Sequence, residues 1–136
     1  MLPREEIRVP GLNPPISHYT DAVRFGNLLF ISGCGPVDEN LNLVGGDDVV
    51  AQTRQVLSNL QLVLSVVGAT LANVLKVTVY LADIDDRKAI DPVRREFFGD
   101  ARPASTLIEV SRLALPGMKV EIEAVAGIPR AGSENF

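Results

Sequence analysis

The stretch PASTLIEVSRLALPGMKVEIEAVAG, residues 103–127, carries the clearest strand pattern in the chain. Its second half alternates, with one face formed by Met118, Val120, Ile122 and Ala124 and the other by Lys119, Glu121 and Glu123. This period of two predicts strands at 103–110 and 118–127, joined by a turn at 113–117. Ser105, Leu107 and Glu109 share one face of the first strand, and we expect that face to lie beside Glu121.

The residues upstream predict four more strands and two helices. Short strands are expected at 5–9 and 76–82, and a hairpin at 19–24 and 28–32 turns at 25–27. A long helix should begin after Asp47 or Asp48 and end at Gly68. A second helix is capped within 83–86, and Pro92 implies that it starts near Asp91 or kinks there.

These elements predict an α+β domain in which two helices cover one face of a mixed sheet. The uncovered face would meet water or a second subunit, and Thr78, Tyr80 and Leu107 favour a subunit. A hydrophobic content of 46% supports the same expectation. We expect a single domain at 1–129 and a flexible polar tail at 130–136.

Composition limits the possible partners. The net charge is −4 and Lys and Arg form no cluster, so nucleic acid is not expected to bind. One cysteine, Cys34, and one histidine, His18, leave no disulfide and no His- or Cys-based metal site. The apolar segment 49–67 is interrupted by polar residues, so no membrane span is expected, and without a signal or transit pattern the expected location is cytoplasmic.

Several motifs occur in one register over about nine-tenths of the chain. They are His18-Tyr19 with Ala22-Val23, 26–33 (GNLLFISG), 51–53 (AQT) with Asn59, 77–81 (VTVYL), Phe97-Phe98, 102–106 (RPAST), Glu109-Val110 and 120–126 (VEIEAVA). Each motif alone is weak, but their order and spacing are specific. Together they resemble the RidA/YjgF (L-PSP) family of imine and enamine deaminases.

The resemblance implies a chorismate-mutase-like fold assembled as a homotrimer, with a central β-barrel and ligand clefts between neighbouring subunits. It also implies a cofactor-free reaction in which a reactive enamine or imine is hydrolysed to a keto product and ammonia. The alternative is a trimer that binds a small molecule in the same cleft without turnover. A ribonuclease role, sometimes attached to the family, is disfavoured by the acidic charge.

The resemblance also places candidate site residues. Glu121 matches the acid that holds the attacking water, Tyr19 lines the cleft, and Ser32 forms its floor. Ser105 stands where the deaminases have an Arg that grips the substrate carboxylate. Leu107 replaces a small cysteine, and Cys34 replaces a glutamine.

Losing a charge-assisted contact of about 1.5 to 3 kcal/mol should weaken carboxylate binding roughly tenfold to more than a hundredfold. Arg102 or Arg112 would have to extend into the cleft to restore this contact with the carboxylate. Thr106 beside Ser105 completes the set of binding candidates from this motif. Asp91, which can equally cap a helix, and His18, which can equally be solvated, are further candidates.

Overall fold

The computed structural model describes residues 3–130, and this part of the chain forms a six-stranded sheet and two α-helices. The predicted tail lies outside the described residues from 131 to 136. In chain order the elements are β1 (Arg4–Ile7), β2 (Ala22–Phe25), β3 (Leu28–Cys34), α1 (Val49–Ser65), β4 (Val74–Leu81), α2 (Arg87–Phe98), β5 (Ala104–Glu109) and β6 (Val120–Gly127). The predicted α+β architecture with a mixed sheet is therefore present.

The strand order is β1-β2-β3-β6-β4-β5. Neighbouring strands are antiparallel except β4 and β5, which are parallel and are connected through α2. A parallel pair needs such a crossover, whereas antiparallel strands can be joined by a short turn. The two C-terminal strands are therefore not neighbours, because β4 lies between them.

This pairing corrects the predicted arrangement of faces. Leu107 is opposite Val79, whose side chain is fully buried on the helix side of the sheet, and Ser105 lies on the same face of β5. Tyr80 follows Val79 in β4 and lies opposite Glu121, so Tyr80 and Glu121 are both on the other face of the sheet. The expectation that Ser105, Leu107 and Glu121 lie on one side is wrong, since the register through β4 sets them on opposite sides.

Helix α1 supplies much of the core. The Asp48 side chain accepts a hydrogen bond from the Val50 N–H at 2.9 Å, which caps the helix as predicted. Its buried face includes Leu57, Leu60 and Leu64, each fully buried against the sheet. A buried leucine contributes about 1.5 to 3 kcal/mol, so the packing of this helix on the sheet stabilises the fold.

Helix α2 begins directly after 83–86, where its cap was predicted, and not near Asp91. A 3₁₀ turn at Ile84–Asp86 leads into the helix at Arg87, and the helix continues through Pro92 to Phe98. Pro92 removes the hydrogen bond to the Lys88 carbonyl, but both residues are exposed, so water can satisfy that carbonyl. The expectation that the helix begins near Asp91 is therefore wrong.

The sheet face opposite the helices carries exposed apolar side chains. Phe25 and Phe30 are each 47% exposed and Ile108 is 41% exposed. Phe30 lies opposite Val23 on β2 and Val125 on β6, so these three apolar side chains form a continuous row across β2, β3 and β6. In the described residues no helix has the length and hydrophobicity to cross a membrane.

Candidate functional site

A cavity of about 340 Å³ opens at one end of the sheet, where β3 and β6 meet the loops at 12–19 and 114–118. Four residues that the sequence analysis selected line it: Tyr19, Ser32, Cys34 and Glu121. They come from the loop before β2, from β3 and from β6. The sheet pairing brings these distant positions together.

Glu121 is a charged residue of this cavity whose carboxylate lies in an environment that raises its pKa. Its side chain is half-buried, and no donor among the described residues forms a hydrogen bond with its carboxylate. Burial, and secondarily the nearby carboxylate of Glu123, raise the pKa of Glu121 above its ordinary value of 4.5. The group is therefore a stronger base than a solvated glutamate and has free lone pairs.

Gly33 is the residue that makes room for this carboxylate. A Cβ placed on Gly33 would lie 2.5 Å from Glu121 Oε2 and 2.8 Å from its Cδ, far closer than van der Waals contact. Any side chain at position 33 would therefore displace Glu121. Sequence pattern alone does not reveal this contact, since β3 and β6 are far apart in the chain.

Of the three hydroxyl-bearing residues that line the cavity with Glu121, Ser32 and Tyr19 form hydrogen bonds that define which atoms remain available. Ser32 Oγ donates to the Thr20 carbonyl at 2.6 Å, which leaves its oxygen as an acceptor. The Tyr19 oxygen accepts a long hydrogen bond from the Ile16 N–H at 3.4 Å, so its own proton remains available. Tyr19 is 45% exposed and can donate to a molecule in the cavity.

Cys34 forms part of the apolar wall. The thiol is buried, and loss of solvation, together with the charges of Glu121 and Asp21, raises the pKa of Cys34 to about 12. A thiolate is the reactive form of cysteine, and this thiol stays protonated at neutral pH. Cys34 can shape the cavity but is not suited to nucleophilic attack.

Two polar residues of α1 hold the loops at the cavity. The buried amide of Gln52 donates to the Gly117 carbonyl at 2.8 Å and its oxygen accepts from the Lys119 N–H at 2.7 Å, fixing the entry to β6. Asn59 donates to the Gly35 carbonyl at 3.0 Å, fixing the exit from β3. Their spacing of seven residues on the apolar side of the helix is the sequence signal for this role.

The other candidates lie elsewhere in the same chain. Ser105 and Leu107 are on the helix side of β5, and Asp91 on α2 pairs with Arg95 at 2.7 Å. Thr106 is on the opposite face, where Lys76 Nζ donates to its hydroxyl at 2.7 Å. His18 is exposed and does not line the cavity.

Arg94 is a residue that the sequence analysis did not select. The residue is half-buried, and its Nη2 donates to Ser105 Oγ at 3.0 Å. Its spacing, four residues after Ile90 and three before Phe97, places it on the inner side of α2, which is the signal that could have identified it. In residues 3–130 no three His, Cys, Asp or Glu side chains are placed to hold a metal ion.

The fold and the carboxylate-bearing cavity define a small α+β domain of the YjgF type. The model of the family described as Endoribonuclease L-PSP matches residues 11–128, and the chain belongs to this family. The resemblance inferred from the sequence is thereby confirmed.

Named relatives span nearly the whole chain. A RutC family protein of Pyrococcus horikoshii is 41% identical over 123 residues, covering 90% of this chain and 97% of its own. The 3-aminoacrylate deaminase RutC of Acinetobacter baylyi is 36% identical over 127 residues, covering 93% and 100%.

Solved structures agree with the fold. The YjgF gene product of Escherichia coli superposes with a TM-score of 0.83 at 30% identity, covering 90% of this chain and 98% of that one. Escherichia coli TdcF with bound serine has a TM-score of 0.83 at 28% identity, with the same coverage. One relative is thus named as a 3-aminoacrylate deaminase, and one similar structure was solved with bound serine.

Proposed function

We propose that this chain is a hydrolytic deaminase that needs no cofactor and converts a reactive imine, or the enamine in equilibrium with it, to a keto product and ammonia. The observation that carries the proposal is the half-buried Glu121 carboxylate, which faces the cavity without a hydrogen-bond donor and has a raised pKa. The 36% identity to a 3-aminoacrylate deaminase supports the same reaction class. A perturbed carboxylate in a cavity is a typical general base.

Glu121 can serve as both the general base and the general acid of this reaction. Glu121 removes a proton from water as the water oxygen attacks the carbon of a protonated imine, giving a carbinolamine. The protonated Glu121 then transfers that proton to the amine nitrogen. The C–N bond breaks as the hydroxyl oxygen forms the carbonyl, and the hydroxyl proton leaves with ammonia as ammonium. Tyr19 and Ser32 orient the substrate by a donated and an accepted hydrogen bond.

We further propose that the working form is a homotrimer whose open sheet faces close into a central barrel. Phe25, Phe30 and Ile108 leave apolar surface on that face, which burial between subunits would stabilise. Within one chain the candidates fall into two separate groups, one around Glu121 and one around Ser105. An inter-subunit cleft would join the group of one subunit to that of its neighbour.

The test measures ammonia release from imines that an amino-acid oxidase generates from a panel of amino acids. Glu121→Gln should lower kcat/KM by at least roughly a hundredfold, because a single general base contributes on the order of 10² to 10⁴. The matched control is Glu123→Gln, since Glu123 lies two residues away on the same face but is exposed and bonded to Tyr80. Equal activity of Glu121→Gln and wild type would refute the proposal.

The second candidate is a binding protein without turnover that uses the same cleft. The relative TdcF, solved with bound serine, favours it, since serine is a stable amino acid. This candidate predicts that serine raises the melting temperature while no imine in the panel yields ammonia faster than in its absence.

We propose that the chain acts on a small molecule and not on RNA, although its family is described as Endoribonuclease L-PSP. The net charge of −4 gives no attraction for a phosphate backbone. RNA cleavage by the purified protein that is lost in Glu121→Gln would contradict this choice. Cleavage that persists in every cavity variant would indicate a contaminant.

A further inference from the structure

We propose that Arg94 and Ser105 form an anion-binding subsite that takes the carboxylate group of the ligand. This inference rests on the proposed function for the identity of the ligand, an imine or enamine that carries a carboxylate. It names the group that binds the acid end of that ligand in a chain with Ser105 where the deaminases of the family have Arg.

The first observation is the state of the Arg94 guanidinium. Arg94 as a residue is half-buried, and the one hydrogen bond that its guanidinium forms with a described residue is to the neutral, exposed hydroxyl of Ser105. A guanidinium has five N–H donors in a planar fork, so four are left without an acceptor in the described residues. A partly desolvated cation in this state is stabilised by an anion that accepts two parallel hydrogen bonds.

The second observation is a cavity on the same side of β5 as Ser105, although neither Ser105 nor Arg94 lines it. Its lining residues are Ile84, Asp85, Arg87, Lys88 and Leu107. Leu107 lies two residues after Ser105 on the same face of β5 and gives the cavity an apolar wall. Arg87 is seven residues, or two helical turns, before Arg94, so both lie along one side of α2.

The acids near this surface leave Arg94 without a direct carboxylate partner. Asp91 lies on the same helix and its charge reaches Arg94 and Arg87, but its carboxylate bonds to Arg95 at 2.7 Å. Asp85 is exposed in the 3₁₀ turn before the helix, and the Glu109 carboxylate accepts a hydrogen bond from the Ile84 N–H at 3.0 Å. The charge of Arg94 is therefore not neutralised by a direct ion pair with a described residue and can attract an anionic ligand.

The short side chain at position 105 is what makes this arrangement possible. The Ser105 hydroxyl receives the Arg94 hydrogen bond and fixes the direction of the fork, while a long side chain there would occupy the same space. The carboxylate-binding cation is thus supplied by the helix instead of by the strand. Neither Arg102 nor Arg112 is needed for this role.

The test titrates the full-length protein with propionate, and with propanamide as the neutral analogue, by isothermal calorimetry. Wild type should bind propionate more tightly than propanamide, and Arg94→Gln should weaken propionate roughly tenfold to a hundredfold without affecting propanamide. The matched control is Arg54→Gln, because Arg54 is an exposed arginine of α1 that pairs with Glu96 and its loss leaves the Asp91–Arg95 pair intact. Arg94→Lys keeps the charge and should recover part of the affinity.

Unchanged propionate affinity in a folded Arg94→Gln variant, or an equal loss in Arg54→Gln, would overturn the subsite. Circular dichroism establishes that each variant is folded, and Arg94→Lys replaces Arg94→Gln if the latter is not. The imine assay separates this result from the proposed function. Ammonia release with the same KM in Arg94→Gln and wild type would refute the subsite alone, and Arg94-dependent propionate binding without ammonia release would refute the deaminase alone.

Discussion

Replacing Gly33 by alanine tests whether the position of the Glu121 carboxylate determines activity. The added methyl carbon would lie 2.5 Å from Glu121 Oε2, whereas carbon and oxygen need about 3.4 Å, so the carboxylate must move by roughly 1 Å. A displacement of that size at a reacting group costs on the order of a hundredfold in rate. We expect kcat/KM for ammonia release from oxidase-generated imines to fall by about that factor.

The fold should tolerate this change. Gly33 has no positive φ, so alanine fits its backbone, and the reduced freedom of the unfolded chain contributes about 0.4 to 1 kcal/mol of stability. Crowding in a packed site costs about 1 to 3 kcal/mol, which leaves a net loss of roughly 0 to 2.6 kcal/mol. A denaturant titration measures this difference and shows whether lost activity reflects lost structure.

A double-mutant cycle identifies the cause. If alanine at position 33 acts only by moving Glu121, then Gly33→Ala should lower activity in the wild type and have no further effect in a Glu121→Gln background. Activity of Gly33→Ala within twofold of wild type would refute the reasoning. A second loss in the Glu121→Gln background would show that Gly33 acts through another group.

Four further outcomes follow from the same contacts. As pH falls through the raised pKa of Glu121, kcat/KM should decline because the base becomes protonated, and a pH–rate profile measures the midpoint, which should lie above 4.5. Because the pKa of Glu121 is raised in the folded protein, its ionised form lowers the free energy of unfolding at pH 8, so Glu121→Gln should melt at a higher temperature than wild type. The difference should vanish below about pH 4, where Glu121 is protonated in both the folded and the unfolded protein. Iodoacetamide should modify Cys34 only after unfolding, as mass spectrometry with and without denaturant would show, because the thiol is buried and its pKa is about 12. Gln52→Leu should lose about 2 to 4 kcal/mol in a denaturant titration, since it leaves the Gly46 and Gly117 carbonyls and the Lys119 N–H without their buried partner.

The sequence predicted the elements well where the signal is local. Asp48 caps α1, Phe25-Gly26-Asn27 turns between β2 and β3, and β6 alternates as expected, because caps, turns and strand alternation depend on residues a few positions apart. Pro92 was misjudged for the same reason. The rule against proline inside a helix is local, but the solvent exposure that relaxes it here is decided by the rest of the fold.

The candidate site was predicted in part. Tyr19, Ser32 and Glu121 were selected through motifs in one register, and the fold brings all three to one cavity. Whether they act in catalysis stays a prediction. Arg94 was missed because its significance depends on contact with Ser105, eleven residues away on another element.

The sequence by itself determined which side chains share a face within each strand and helix, because that depends on the local spacing of apolar residues. It also determined the family, because the motifs occur in a specific order and spacing. Only the tertiary structure decided how those faces combine. The insertion of β4 between β5 and β6 turned Ser105 towards α2 and away from Glu121, and it is strand pairing, a contact between distant residues, that sets such relations. The same long-range packing placed Gly33 under Glu121 and Arg94 against Ser105.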